Sequence, residues 1–324
     1  MVTPLILDVD TGIDDMLAIL YVAGDPEAGL LAVTCSAGNA TLDDTQRNTR
    51  IVLELAGRRD VEVAAGRPTP LVRALEITPE THGPRGLGYA DPAEPRMPLS
   101  SRFGPEVIVD AARRRPREVT LVTLGPLTNL ALALELEPAL PSLLRRWVMM
   151  GGAFRVEGNT TPFSEWNVHC DPEAAKACFG AWTAAIRSDP SIPRMTAMGL
   201  DVTERAVMGP PELEALAACA AGNPALKRMM VDALRFYFEF HEHYDGFYGA
   251  HVHDPLVVAC ALDASLITAS EQASIDVDAS GGAEDGRTVA DLSSATPNAD
   301  IVTAALPDVF LERLLARVGA LAAS

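Results

Sequence analysis

Four aspartates fall within eight residues at the end of an apolar run, Leu5-Ile-Leu-Asp8-Val-Asp10-Thr-Gly12-Ile-Asp14-Asp15. Alternation along an extended strand puts Asp8 and Asp10 on one side, Gly12 allows a tight turn, and Asp14 and Asp15 open the helix that follows. A helix N-terminus carries only about half a positive charge, which is too little for four crowded anions. Oxygen donors with no thiolate or closely spaced imidazole beside them select a hard cation, calcium or magnesium, over zinc or copper. Taken singly, Asp14 could be a helix cap and Asp8 a strand-end residue. That assignment leaves the crowding of all four unexplained.

The aspartyl-phosphatase signature, D-x-D-x-T or D-x-D-x-V after an apolar strand, is the nearest competitor. Here Asp8-Val9-Asp10-Thr11 is followed by Gly12, so the fifth position fails, and Asp14-Asp15 has no place in that motif. A magnesium-dependent phosphatase is therefore the weaker alternative.

The elements that must position these carboxylates follow from periodicity. Apolar runs at 5–9, 30–34 and 61–65 alternate with helical patterns at 14–23 and 43–56, and such alternation predicts parallel βαβ units. The rhythm resumes with a helix over 104–114, a strand over 119–123, a helix from Leu127 towards Glu135 and a strand over 147–150. The expected fold is α/β: an open, mostly parallel twisted sheet flanked by helices, one domain spanning 1–324. Two long irregular stretches, 66–101 and 151–170, should emerge at the carboxyl ends of strands, where open α/β sheets bind ligands. An aromatic helix ending near Gly246 could supply a lid. The tail reads as strands at 273–277, 288–292 and 301–303 and a closing helix from Pro307 to Leu321.

Composition narrows the partners. Forty-four acidic residues against 26 basic ones give a net charge of −18, a field that repels nucleic acid and anionic lipid and suits a neutral small molecule. Five scattered cysteines without CxxC spacing argue against a disulfide framework or a thiolate zinc site and for a reducing cytoplasm. The N-terminus lacks the basic region of a signal peptide, and no apolar stretch is long enough to cross a bilayer.

With Asp8, Asp10, Gly12, Asp14 and Asp15 in place, the chain resembles the inosine-uridine-preferring nucleoside hydrolases, whose fingerprint is D-x-D-x-G-x-D-D. Further matches are Gly38-Asn39, His82-Gly83-Pro-Arg-Gly86-Leu87-Gly88, Leu124-Gly-Pro-Leu-Thr-Asn129, Met149-Met-Gly-Gly152, Gly158-Asn159, Glu165-Trp-Asn167 and His253-Asp254-Pro255. The resemblance implies a calcium ion held by Asp10, Asp15, the backbone carbonyl of Leu124 and Asp254. It places Asp14, Asn39, Asn159, Glu165 and Asn167 around a ribose and His82 near the base or the entrance, with Asp8 behind the ligands. The implied reaction is hydrolysis of the N-glycosidic bond of an inosine-, uridine- or cytidine-class nucleoside by calcium-activated water. Asp10 would be the general base, and His253, also in contact with substrate, the leaving-group acid. Relatives form dimers and tetramers, so a homo-oligomer is expected. A nucleoside or sugar sensor that keeps the cation site without catalysis is the remaining alternative. Without the resemblance, Asn39, Asn159, Glu165 and Asn167 read as turn or surface residues, and His253-Asp254-Pro255 reads equally as a helix start. Trp166 reads as packing, and His241, His243 and His251 receive no role beyond a contact of His241 or a nearby tyrosine with the base.

Overall fold

The computed structural model describes residues 2–323. Its strands are β1 (Thr3–Val9), β2 (Ala28–Cys35), β3 (Glu62–Ala65), β4 (Thr120–Thr123), β5 (Arg146–Met150), β6 (Met195–Met198), β7 (Val207–Met208), β8 (Ala250–His251), β9 (Ile267–Val277), β10 (Thr288–Asp291) and β11 (Ala299–Ala305). Nine of them form one sheet in the order β10-β9-β11-β6-β5-β4-β1-β2-β3, and β7 and β8 make a separate antiparallel pair. From β3 across to β11 every pairing is parallel; only β9 runs against its neighbours. The expected parallel α/β sheet is present, with an antiparallel edge.

Strand β1 shows why the sheet is covered on both faces. Leu5, Leu7 and Val9 enter one core with the helices Ile13–Ala23, Leu42–Leu55 and His253–Leu262, while Ile6 enters the other with Gly104–Arg114, Thr128–Leu136 and Pro172–Ser188. The helix Ile13–Ala23 is buried from Ile13 through Val22, as expected of a helix that is apolar all round. Trp147, Trp182 and Phe179 fill the second core.

The helix over 104–114 and the strand starts and ends of the first half lie within about two residues of expectation. Three differences matter. The stretch 151–170 is not irregular throughout: Trp166–Cys170 is a short helix. The helix Pro172–Ser188 follows at once, with Asp171 Oδ1 accepting the Ala174 N–H at 3.0 Å as its cap. The segment 66–101 likewise contains a helical turn, Pro79–His82.

Candidate active site

Strand β1 continues to β2 on one side of the sheet, whereas its other neighbour, β4, leads away towards β5 and β6. That reversal of strand order opens a crevice at the carboxyl ends of β1 and β4. A cavity of about 490 Å³ lies there, lined by Asp14, Asn39, His82, Leu124, Asn159, Glu165, Asn167, His253 and Asp254. Every expected site residue is thus brought to one place, with Asp10 and Asp15 fully buried beneath it.

Beneath the cavity the carboxylates are held by backbone. Asp15 Oδ2 accepts the Gly12 N–H at 2.9 Å and the Asn39 Nδ2–H at 3.2 Å, and its Oδ1 accepts the Asp10 N–H at 3.3 Å. Asp10 Oδ2 accepts the Asn39 N–H at 2.7 Å. A Cβ on Gly38 would come within 2.2 Å of Asp10 Oδ2, and one on Gly125 within 2.6 Å of Asp10 Oδ1, so two glycines clear the space that Asp10 occupies. Asp8 stands behind, its Oδ1 taking hydrogen bonds from Thr34 Oγ1 at 2.6 Å and Asn129 Nδ2 at 2.8 Å.

What these groups lack is a positive partner. Asp10 Oδ1, Asp14 Oδ1 and Asp254 Oδ2 are buried with no hydrogen-bond partner, a costly state for a carboxylate unless a cation meets it. Asp14, Asp15 and Asp254 each present an oxygen within 4.8 Å of the other two. Burial is the main cause that raises all of them: Asp8 to about 7, Asp15 to about 6, Asp14 to about 8, and Asp10 and Asp254 well above the ordinary carboxylate range. Repulsion adds to this at Asp10 and Asp14, chiefly from Asp15, and at Asp254 from Asp14 and then Asp15. An all-oxygen, electron-rich pocket of this kind fits a hard dication. The geometric triad contains Asp14, which the resemblance had given to the sugar.

One wall is built by the short helix Trp166–Cys170. Glu165 is its N-cap: Oε1 accepts the Asn167 N–H at 2.8 Å, and Oε2 accepts Gly152 N–H at 2.9 Å and Val168 N–H at 3.1 Å. Asn167 Nδ2 donates to the Leu124 carbonyl at 2.7 Å, which leaves that oxygen a second lone pair. Both side chains are buried, so the surface-loop reading of Glu165 and Asn167 fails. Asn159 is exposed at the rim, where its Oδ1 accepts the Trp166 N–H at 2.9 Å. Trp166 also lines the cavity, and its Nε1 is buried without a partner.

The opposite wall carries rings. His82 is buried, takes the Ile13 N–H on Nδ1 at 3.1 Å and lies 5.5 Å from the Tyr237 ring. Thr203 Oγ1 lies 3.1 Å from the Gly199 carbonyl and 2.9 Å from His253 Nδ1; with its proton on the carbonyl, it accepts from Nδ1. His253 Nε2 is then the nitrogen with a free lone pair. Burial, reinforced by His251, His241 and His82, pushes His253 well below the ordinary imidazole value, and burial takes His82 down to about 3. This desolvation disfavours the charged imidazolium.

The cavity lining includes His241 and the tyrosines Tyr237 and Tyr244 near it; sequence reasoning missed Asp245, His251 and Glu204. The available signals were the one-turn spacing of His241 and Asp245 and the alternation of His251 with His253.

A family model described as inosine-uridine preferring nucleoside hydrolase matches residues 5–312. The inosine-uridine preferring nucleoside hydrolase of Crithidia fasciculata is 37% identical over 296 residues, 90% of this chain and 89% of that protein. The pyrimidine-specific ribonucleoside hydrolase RihA of Salmonella arizonae is 37% identical over 322 residues, covering 98% of this chain and 99% of its own. Among solved structures, a purine-preferring ribonucleoside hydrolase from Gardnerella vaginalis has a TM-score of 0.89 at 28% identity, covering 99% of each chain.

Proposed function

This chain belongs to the inosine-uridine preferring nucleoside hydrolase family and hydrolyses the N-glycosidic bond of ribonucleosides, and we propose that a calcium ion in the aspartate cluster is the cofactor of that reaction. The observation that carries the proposal is the set of buried, unpartnered oxygens on Asp10, Asp14 and Asp254 at the crevice between β1 and β4. Asp10, Asp15, Asp254 and the Leu124 carbonyl would hold the ion, with Asp14 close enough to share it. When bound, such a cation supplies Lewis acidity towards water and orients sugar hydroxyls.

The protein's own groups do the rest. Asp10 Oδ1 receives the proton of the attacking water, and the hydrogen bond from Asn39 N–H to Oδ2 fixes the direction in which Oδ1 points. As the C1′–N bond breaks, positive charge grows on the ribose, and the carboxylates and amide oxygens of Asp14, Asn39, Asn159, Glu165 and Asn167 favour that state over the neutral nucleoside. Attack by water is direct, with no protein nucleophile. On the base side, His253 Nε2 is the atom that meets the departing nucleobase, with His82 packed beside Tyr237 closing the wall. Because burial keeps His253 neutral with its proton on Nδ1, Nε2 takes a proton from solvent as the C1′–N bond breaks and gives it to the base nitrogen, while the proton held on Asp10 returns to solvent after the products leave.

The substrate class that the names of the Crithidia fasciculata and Salmonella arizonae relatives have in common is a pyrimidine ribonucleoside, and uridine is the first choice, with inosine and cytidine next. Release of reducing sugar from uridine, cytidine, inosine, adenosine and guanosine tests this. Fastest release from uridine supports the choice; release confined to adenosine or guanosine overturns it. The same reading includes a cytoplasmic enzyme, supported by five unpaired cysteines, and a homodimer or homotetramer, which light scattering of the purified protein would decide. Among the described residues no helix is long and apolar enough to cross a membrane.

A further inference from the structure

The helix Pro224–Tyr244 brings His241 to the base side of the cavity, Asp245 caps that helix, and β8 delivers His251 opposite them. One ligand-type atom from each of the three lies within 4.8 Å of the others. Tetrahedral ligands about 2.0–2.2 Å from a zinc-type ion sit about 3.4 Å apart, so small side-chain rotations would close the set. Two features prepare it. His251 Nδ1 lies 2.6 Å from the Glu204 carbonyl, which can only accept, so Nδ1 carries the proton and Nε2 keeps its lone pair. A backbone carbonyl in that position is how ligating imidazoles are commonly oriented. His241 is 4% exposed, its Nδ1 is 2.5 Å from Asp245 Oδ2, and its Nε2 is buried with no partner. An ion shared with Asp245 would therefore meet His241 through Nδ1, the nitrogen that faces the carboxylate, with the proton moved to the unpartnered Nε2. Phe247 stacks on His241 at 5.5 Å and meets His251 edge-on at 5.1 Å, holding both rings in place.

We propose that His241, Asp245 and His251 form a second cation site, separate from the aspartate cluster, that takes a borderline transition dication of the zinc type. Two nitrogens and one carboxylate oxygen suit such an ion, whereas the all-oxygen cluster suits calcium. Burial holds both imidazoles below their ordinary value, leaving them neutral and ready to donate a lone pair. If the cavity holds a nucleoside as proposed above, a cation here stands on the base side and takes both rings away from the nucleobase.

The test is a titration of the calcium-saturated protein with cobalt(II), whose visible absorption is far stronger in a four-coordinate nitrogen-containing site than in six-coordinate oxygen sites. The expected result is one equivalent bound with an intense visible band. Asp245→Asn and His251→Gln should each weaken binding at least tenfold, and His243→Gln, an exposed neighbour on the same helix, should leave it unchanged. Asp245 is 45% exposed, so Asp245→Asn tests the site even if His251→Gln fails to fold. No intense band, or a band that both variants leave intact, overturns the proposal. Either result is independent of whether the protein releases ribose.

Discussion

The two halves of the cavity are built from opposite materials. The floor is carboxylate and amide, fixed by backbone N–H groups from Gly12, Asn39, Gly152 and Val168, and it sits at the strand ends of the sheet. The wall is imidazole and aromatic ring, carried by the helix Pro224–Tyr244 and the segment from β8 to His253, and its contacts are mostly ring against ring. Directional hydrogen bonds fix atoms to within tenths of an ångström, while ring packing fixes planes and leaves side-chain choice open. On the reading proposed above, the floor suits a reaction common to all nucleosides, and the wall discrimination among bases.

Three substitutions should sharpen or break that division. Asp10→Asn should have the largest effect, lowering kcat about 10²- to 10⁴-fold on every nucleoside, the range for loss of a general base. Because it removes a buried carboxylate with an unpartnered oxygen, thermal melting of the cation-free protein should not fall. Equal activity in the variant would take Asp10 out of the chemistry. His253→Ala should come next, about 10²-fold for natural nucleosides and much less for a nitrophenyl riboside, whose leaving group needs no proton. Equal losses on both substrates would remove the acid role. Tyr237→Phe should have the smallest effect, a few-fold change in KM that differs among bases with kcat nearly unchanged. A uniform drop in kcat would mean that Tyr237 serves the floor rather than the wall.

The same division explains what was legible in the sequence. Floor residues announce themselves because four aspartates in eight positions are costly without a purpose, and because Gly12 breaks a competing motif. The parallel sheet was legible from alternating runs, since β1, β2 and β4 are apolar on both faces and bounded by turn residues. Glu165 and Asn167 were obscure because their burial depends on a five-residue helix capped by Glu165 itself, too short to leave a periodic signal. Asp245 and His251 were obscure because their meeting depends on how a long helix docks beside a two-residue strand, which no local pattern encodes. The neutral state of His253 was hidden for the same reason: it follows from burial beside His251, His241 and His82, residues up to 171 positions away in the chain.

The most direct test of the central claim is ribose release from uridine by protein stripped with a chelator and then given calcium, magnesium or zinc in turn. Loss of release on stripping, with full recovery by calcium and little by the others, is the predicted result. Undiminished release from protein shown by elemental analysis to be metal-free would contradict the assignment of the aspartate cluster as the cation site on which hydrolysis depends.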